Sequence, residues 1–414
     1  MAPDSETIQS AAAVSGRLSR AWDGYLKALK DMQLAFDRSD QFKLAPDQKG
    51  MAYRQLMEAQ AMAYNYAVGP RTAHPRVFRN TIWQTEFYSI GGNGPDFDYR
   101  LSFIEGGHDY RLWGKINDCT SLFCQLNSAL PGSEGSRVLK SYEFHEFELG
   151  PDKSFEIIVS ARPHKGNWIE LAPDADYQWL MFRPAIETWE SKSAEIHIER
   201  ISPLDPMAAE TDEYSEEAVA RRIEAATAFF KYILTDWAMG YVPLVLRGAG
   251  ETNKFFTFSV EDAGEMGSPV AQYLQCVFEV DDDEALILEF DEEPKAAYWS
   301  LQLYDVWQHA LAFRTRQSTL NGTQMAKDAD NAVRVVLSRR DPGVANWLDN
   351  AGYRMGEVTW RNYKATSNVN HRIRRVKFDD LDRHLPAGTQ RVTPRERAAE
   401  LGRRRAAYLR RHGE

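Results

Sequence analysis

The sequence has only three cysteines and no long apolar run, and these two features argue against a disulfide-rich protein and against a membrane-spanning protein. The cysteines, at positions 119, 124 and 276, are too few and too unevenly spaced to predict a disulfide framework or a zinc cluster. No stretch is long and apolar enough to predict a membrane-spanning helix, and residues 1–14 lack the apolar centre of a signal peptide. We therefore expect a cytoplasmic protein that does not associate with membranes.

Familiar catalytic motifs are also missing. The sequence contains no G-x-S-x-G elbow, no phosphate-binding P-loop, no dinucleotide fingerprint and no H-E-x-x-H zinc motif. Its nine histidines are scattered and never form an H-x-H pair, and the other ligand types form no cluster either. Neither a metal nor an organic cofactor is predicted.

The charge of the chain argues against a general nucleic-acid binder, because a net charge of −10 lacks the necessary cationic footprint. The one basic region is residues 395–414, which hold seven Arg and three Glu. The letters "TPRE" just before it predict a capped helix, with Thr393 as the N-cap and Glu396 closing a capping box. We expect this helix to be solvated or to dock on its own molecule.

The length of 414 residues exceeds what a single core usually supports, so two domains or two cores are expected. Apolar residues recur at helical spacing near the N-terminus and after Ser215, and elsewhere short runs alternate apolar with polar residues as antiparallel strands do. The predicted units are a helical segment (1–83), a first β-sandwich (84–203), a linker with an amphipathic helix (204–240), a second β-sandwich (241–380) and a basic helical tail (381–414).

The two strand-rich regions share an Asn-Trp pair in a similar setting. "HKGNW" at residues 164–168 and "GVANW" at residues 343–347 both stand close to an Arg, a Pro and a Gly. The Asn lies sixteen residues before Arg183 in the first region and fifteen before Arg361 in the second. This ordered match predicts an internal duplication. We therefore predict a mainly β fold with added helices, built from two tandem jelly-roll-like antiparallel β-sandwiches in which Asn-Trp marks the same corner.

One stretch carries a family resemblance. "YWSLQLYD", followed by "VVLSRRDPGVANWLDNAGYRMGEVTWRNY", resembles the bacterial domain-of-unknown-function family 1214. The earlier "GGNGPDFDYRLSFIEGGHDYRLWGK" is similar to the segment that precedes it in relatives, although Gly94 stands where an Asn is expected. The resemblance covers roughly residues 85–375. It implies paired jelly-roll-like sandwiches with added helices, and no established reaction.

The segment "GPDFDYR" at residues 94–100 holds the most suggestive polar residues. If it enters a strand, Asp96 and Asp98 share one face with Cα atoms about 6.5 Å apart, a spacing that suits the two carboxylates of an inverting glycosidase. Close like charges would separate their pKa values and provide an acid and a base, while Arg100 would keep one of them ionised. The alternative is a Gly-Pro-Asp turn in which Asp96 bonds the backbone.

The second strand-rich region offers a further catalytic group. Tyr304 is a candidate proton donor and Asp305 a candidate acceptor, and Asp341 is either a second acceptor or a turn residue. The candidate substrate-binding residues are Tyr99, Arg100, Trp168, Arg183, Glu187, Asp341, Trp347 and Arg361.

Two functions follow from these residues. The first is a cofactor-independent hydrolase or lyase that acts on a neutral, ring-shaped, glycoside-like substrate, with Asp96 and Asp98 as acid and base. The alternative is a non-catalytic binding protein for a flat lipophilic molecule, such as a sterol or an aromatic acid, held between the helices and a sandwich. In both hypotheses the partner is a small molecule, and a homodimer is the default expectation for the assembly.

Overall fold

A computed structural model describes residues 16–79, 91–258, 271–366 and 369–412 of the chain. Its N-terminal and central helices pack together against the sheets, and two more helices lie near the C-terminus. The helices are α1 (Arg17–Asp37), α2 (Asp40–Leu44), α3 (Lys49–Ala63), α4 (Pro206–Glu213), α5 (Glu216–Tyr232), α6 (Tyr241–Ala249), α7 (Leu381–His384) and α8 (Pro394–His412). Two π-helical segments, Tyr64–Val68 and Ile233–Met239, extend α3 and α5. No helix in these ranges is long and apolar enough to cross a membrane.

The strands in the described ranges fall into two sets of nine. The first set is β1 (Phe78–Arg79), β2 (Arg100–Ile104), β3 (Tyr110–Lys115), β4 (Ser121–Asn127), β5 (Val138–Glu143), β6 (Ser154–Ser160), β7 (Trp168–Glu170), β8 (Gln178–Ala185) and β9 (Glu195–Arg200). The second set is β10 (Phe256–Phe258), β11 (Ala271–Glu279), β12 (Glu284–Phe290), β13 (Tyr298–Tyr304), β14 (Thr319–Asn321), β15 (Val333–Ser338), β16 (Trp347–Asp349), β17 (Met355–Tyr363) and β18 (His371–Lys377).

The two sets have the same topology. In the first, a five-stranded sheet of order β1-β2-β8-β4-β5 accompanies a four-stranded sheet of order β7-β6-β3-β9. In the second, the orders are β10-β11-β17-β13-β14 and β16-β15-β12-β18, which match the first set strand for strand. Sheet neighbours that are distant in sequence are typical of jelly rolls. The prediction of two tandem β-sandwiches with added helices is confirmed.

The two Asn-Trp pairs occupy the same corner of their sandwiches. The Asn346 amide donates to the carbonyls of Ala326 (2.7 Å) and Arg334 (3.0 Å), and its oxygen accepts from the Ala326 amide (2.8 Å). Asn167 makes the equivalent three bonds, to the backbone of Glu148 and Glu156. The Trp that follows each Asn donates Nε1–H to a carbonyl of the preceding strand, at 2.9 Å in the first copy and 3.0 Å in the second. Asn therefore closes the turn and Trp covers the strand beside it.

The outer faces of the two five-stranded sheets face each other. On β17, Val358 and Trp360 pack inside the second sandwich. Met355 and Tyr363, on the other face of the strand, belong to a cluster that also holds Phe123 of β4, whose ring lies 6.3 Å from that of Tyr363. Because strand side chains alternate between faces, one face of each five-stranded sheet packs in the core of its own sandwich. The other face packs in the cluster between the two sandwiches. Helices α1, α3, α5 and α6 pack against the same cluster.

The basic helix α8 docks on both sandwiches. Thr393 and Glu396 form the expected capping box, with bonds of 2.8 and 3.2 Å between side chain and backbone. Three arginines spaced seven residues apart lie on one helix face and are buried: Arg397, Arg404 and Arg411. Arg397 pairs with Asp341 of the second sandwich (3.0 Å), while Arg411 donates to the carbonyl of Pro95 at the first sandwich (2.7 Å). The helix thus joins the two sandwiches along one edge.

We expect Asn346→Ala to destabilise the fold by about 1–3 kcal/mol, because it leaves buried backbone groups without partners. The midpoint of denaturant unfolding measures this loss. Asn370→Ala, at an exposed position, is the matched control and should leave the midpoint unchanged. Equal midpoints for the two variants would contradict the assigned role of the Asn346 amide.

Candidate functional site

The candidate site is a layer of buried polar side chains between the two five-stranded sheets. Alternation along β17 places three polar side chains on the face that meets the other sandwich: Glu357, Thr359 and Arg361. We call this the inter-sheet layer, and its members are Tyr99, Gln125, Arg183, Gln275, Gln302, Tyr304, Glu357, Thr359 and Arg361. All of them are at least 90 % buried. Buried polar groups in such number need specific partners, so their contacts decide what the layer can do.

Two arginines at equivalent positions of the duplicated fold meet in this layer. Arg183 Nη1 donates to Gln125 on the neighbouring strand β4 (2.7 Å), and Arg361 Nη1 donates to Gln302 on the neighbouring strand β13 (3.1 Å). Tyr99 interacts electrostatically with both, since burial raises the pKa of Tyr99 and the positive charges of Arg361 and Arg183 oppose that rise. Tyr99, Arg183 and Arg361 are all candidate substrate-binding residues by sequence, and they lie together in this layer.

Arg361 has only neutral acceptors among the described residues. Its Nη2 donates to the Gly92 carbonyl and to the Tyr304 hydroxyl, each at 2.5 Å. A Cβ atom on Gly94 would lie 3.6 Å from Arg361 Nη1 and 3.1 Å from the Phe97 ring, so the loop approaches the guanidinium closely. A buried cation normally pairs with a carboxylate, and this one pairs with carbonyl, amide and hydroxyl oxygens instead.

Glu357 is a titratable member of the layer that was not among the candidates from the sequence. It is fully buried, accepts a hydrogen bond from Thr359 Oγ1 (3.2 Å) and another from the Gln308 amide, and lies directly across the strand pair from Tyr304. Burial raises the pKa of Glu357 to about 8, although Thr359, Arg361 and Gln308 act in the opposite direction. The alternation in "MGEVTWRNY" was the available signal, but polar residues alternating on a strand usually face solvent.

Tyr304 is held rigidly beside Arg361. Its hydroxyl donates to the Asn93 carbonyl (2.7 Å), and burial raises the pKa of Tyr304 far above its usual range. It therefore keeps its proton across the physiological range.

Asp96 lies in a turn, because the Phe97 amide donates to the Gly94 carbonyl (3.1 Å). Asp96 and Asp98 flank an antiparallel bridge between Phe97 and Ala185, and their carboxylates bind different partners. The Asp96 carboxylate accepts from Trp189 Nε1 (2.5 Å) and from the Tyr298 hydroxyl of the second sandwich (2.6 Å). It thus connects the two sandwiches.

Asp98 has a separate set of partners. It lies 2.6 Å from Arg100 and 3.3 Å from Arg79, and it accepts from the Ser193 hydroxyl (2.5 Å). Burial tends to raise the pKa of Asp98, but Arg100 and Arg79 outweigh burial and the pKa is lowered. As expected, Arg100 keeps Asp98 ionised, and the pair ties the start of strand β2 to its neighbours.

Asp305 binds a buried histidine instead of facing the Tyr304 hydroxyl. It accepts from the Trp307 and His309 amides and from His309 Nδ1, each at 2.9 Å. His309 Nε2 lies 3.4 Å from Glu58 of α3. Burial tends to lower the pKa of His309, but Asp305 and Glu58 outweigh it and raise the pKa to about 9. The charged imidazole thus links the N-terminal helices to the second sandwich.

The remaining candidates lie outside the inter-sheet layer. Trp168 and Trp347 stand on the four-stranded sheets at the Asn-Trp corners. Asp341 accepts from the Gly343 amide (2.8 Å), as a turn residue does, and pairs with Arg397. Glu187 is partly buried near Asp96, and burial raises its pKa. Across the described ranges, no group of three or more His, Cys, Asp or Glu side chains is placed to hold a metal ion.

The raised pKa of His309 has a consequence for stability. Because the folded pKa of about 9 exceeds the ordinary value of 6.5, the contribution of the charged imidazole is complete below pH 6.5 and disappears as the pH rises through 9. We expect wild type to exceed His309→Gln in unfolding free energy by more at pH 6 than at pH 10. Denaturant unfolding at both pH values measures the difference, with His384→Gln, at an exposed position, as the control. A difference that does not change with pH would contradict the assigned charge.

Comparisons with known proteins agree with this architecture. Residues 279–367 match the family described as "Protein of unknown function (DUF1214)", a narrower span than the resemblance implied. The chain is similar to the crystal structure of an uncharacterized protein from Burkholderia cenocepacia, with 26% identity, a TM-score of 0.76, and coverage of 87% of this chain and 98% of that one. It also matches the VPA0106 protein from Vibrio parahaemolyticus with 13% identity, a TM-score of 0.43 and coverage of 78% and 100%. No curated protein sequence matches the chain. The span that matches this family lies within the second sandwich.

Proposed function

We propose that the protein is a cofactor-independent hydrolase or lyase that works by acid/base catalysis in the inter-sheet layer. The observation that carries this proposal is Glu357, a fully buried carboxyl whose pKa burial raises to about 8. General acids and bases work best when their pKa lies near the operating pH, and buried carboxyls with raised pKa values concentrate at active sites. Glu357 therefore takes up and releases a proton near neutral pH.

The neighbours of Glu357 supply complementary roles. Arg361 stabilises negative charge that develops on the substrate, because it is a buried cation with hydrogen-bond partners that hold its orientation. Tyr304 stays protonated and fixes the guanidinium from the other side. Tyr273, the cross-strand neighbour of Arg361, is only partly buried and interacts electrostatically with the guanidinium.

The charge of the layer favours an anionic substrate over the neutral ring expected from the sequence. Arg361 contacts neutral oxygens alone among the described residues, so a substrate carboxylate would provide the missing counter-charge. The Gln302 amide nitrogen is buried beside it and has no hydrogen-bond partner within the described part of the chain. A ring-shaped substrate that carries a carboxylate satisfies both groups.

The pair of Asp96 and Asp98 is a weaker alternative for the acid and base. Asp96 is already bonded to Trp189 and Tyr298, and Asp98 is held ionised by Arg100. A catalytic role would require both carboxylates to exchange these partners for substrate.

The second hypothesis, a binding protein for a sterol or an aromatic acid, calls for a mainly apolar cavity between the helices and a sandwich. The cleft found at that place is lined by Arg71, Arg76 and Arg79 and by the exposed ring of Tyr64. These charges disfavour a sterol. The binding hypothesis also gives no account of the raised pKa of Glu357, so the enzyme is the function that we propose.

Glu357→Gln should lower kcat by about 100-fold or more on any substrate of the enzyme, because the amide keeps the shape of the side chain and cannot transfer a proton. Release of 4-nitrophenolate from paired panels of 4-nitrophenyl glycosides and the corresponding glycuronides measures this. Wild type should turn over glycuronides in preference to neutral glycosides, and Arg361→Met should remove that preference. Glu199→Gln, at an exposed position, is the matched control.

Two outcomes would count against the proposal. One is turnover that survives in Glu357→Gln at the wild-type rate. The other is the absence of turnover by wild type on both panels.

The same substitution has a stability signature that does not depend on a substrate. Between the ordinary pKa of 4.5 and the folded pKa of about 8, wild type loses unfolding free energy as the pH rises, because the folded state holds a proton that the unfolded state releases. The loss is at most about 1.4 kcal/mol for each pH unit between the two pKa values. Glu357→Gln should therefore have a larger unfolding free energy than wild type at pH 9. Its advantage over wild type should be much smaller at pH 5. Parallel pH dependences of the two unfolding midpoints would refute the buried, protonated carboxyl.

A further inference from the structure

A concave site lies apart from the inter-sheet layer, where α3 ends against the first sandwich. The cleft has a volume of about 760 Å³, which suits one small organic molecule. We call it the Arg76 cleft, and its lining residues come from the π-helical segment at the end of α3, the following loop and strands β1 and β2. Those that the argument uses are Tyr64, Tyr66, Arg76, Phe78, Arg79 and Phe103.

Aromatic rings form the walls of the cleft. The Phe78 and Phe103 rings are stacked, with centroids 5.9 Å apart and an interplanar angle of 21°. Tyr66 meets Phe103 edge-on at 5.8 Å. Tyr64, whose side chain is 58% exposed, stands at the mouth. Tyr66 and Phe103 are buried, so the half-buried Phe78 and the exposed Tyr64 offer the ring faces on which a planar ligand can stack.

The cleft is also cationic. Among the described residues, its lining contains three arginines and His74, and no Asp or Glu. Two of the arginines have carboxylate partners outside the lining, since Arg71 lies 2.7 Å from Glu213 and Arg79 lies 3.3 Å from Asp98. Arg76 is exposed and forms no ion pair or hydrogen bond with any residue in the described ranges. Its guanidinium is therefore available to a ligand.

We propose that the Arg76 cleft binds a small aromatic carboxylate. The planar guanidinium of Arg76 matches the two oxygens of a carboxylate, and the rings of Phe78 and Tyr64 stack on the aromatic part of the ligand. A neutral ring lacks the ion pair and an inorganic anion lacks the stacking, so each binds more weakly. The site is separate from the inter-sheet layer and goes beyond the proposed reaction.

Isothermal titration calorimetry on the full chain tests the proposal with three probes: 2-naphthoate, its neutral counterpart 2-naphthol, and inorganic phosphate. We expect 2-naphthoate to bind with a Kd below about 1 mM and at least about tenfold more tightly than the other two. Arg76→Ala and Tyr64→Ala should each weaken 2-naphthoate binding about tenfold. Both positions are exposed, so the variants keep the fold.

Matched controls separate this site from general effects. Arg38→Ala and Tyr53→Ala remove the same side-chain types from exposed positions outside the cleft and should leave the affinity unchanged. Glu357→Gln should also bind 2-naphthoate normally, so a failure of the proposed reaction and a failure of this site are distinguishable. Undetectable binding by wild type, or equal binding by wild type and both cleft variants, overturns the proposal.

Discussion

Between the two sandwiches, each five-stranded sheet presents an arginine that is shielded from water and must find its hydrogen bonds inside the protein. Each arginine uses the glutamine of the neighbouring strand, Gln125 for Arg183 and Gln302 for Arg361. An unpaired buried charge destabilises the folded state by far more free energy than a typical contact contributes. These bonds therefore restrict how the two sheets can be placed relative to each other. The loop that carries Gly92 and Gly94 and the strand that carries Tyr304 are positioned by the same guanidinium.

This constraint also explains why the layer is suited to chemistry. Glu357 lies two residues along β17 from Thr359 and four from Arg361, on the same face, in surroundings with little water. Such surroundings raise the pKa of a carboxyl and strengthen its interaction with a nearby cation. The duplicated fold thus provides a symmetric pair of arginines, while the acidic group occurs in the second copy.

Local patterns predicted much of the fold. The alternating runs, the Asn-Trp corners and the capping box at Thr393 depend on neighbours in sequence, and the structure contains all three. The inter-sheet layer could be predicted only in part, because it forms from side chains far apart in the chain. Tyr99, Arg183 and Arg361 were selected for their residue types. Glu357 was missed, since its strand alternates polar and apolar residues exactly as a strand with one solvated face does.

The buried arginines on one face of α8 affect how the protein unfolds. Arg397 is anchored in the second sandwich, and Arg411 is anchored at the carbonyls of Pro95 and Trp189 in the first. If either sandwich separates from α8 along this edge, a buried guanidinium loses its hydrogen-bond partners. Helix α8 therefore couples the two copies of the fold along this edge, although each copy has its own core.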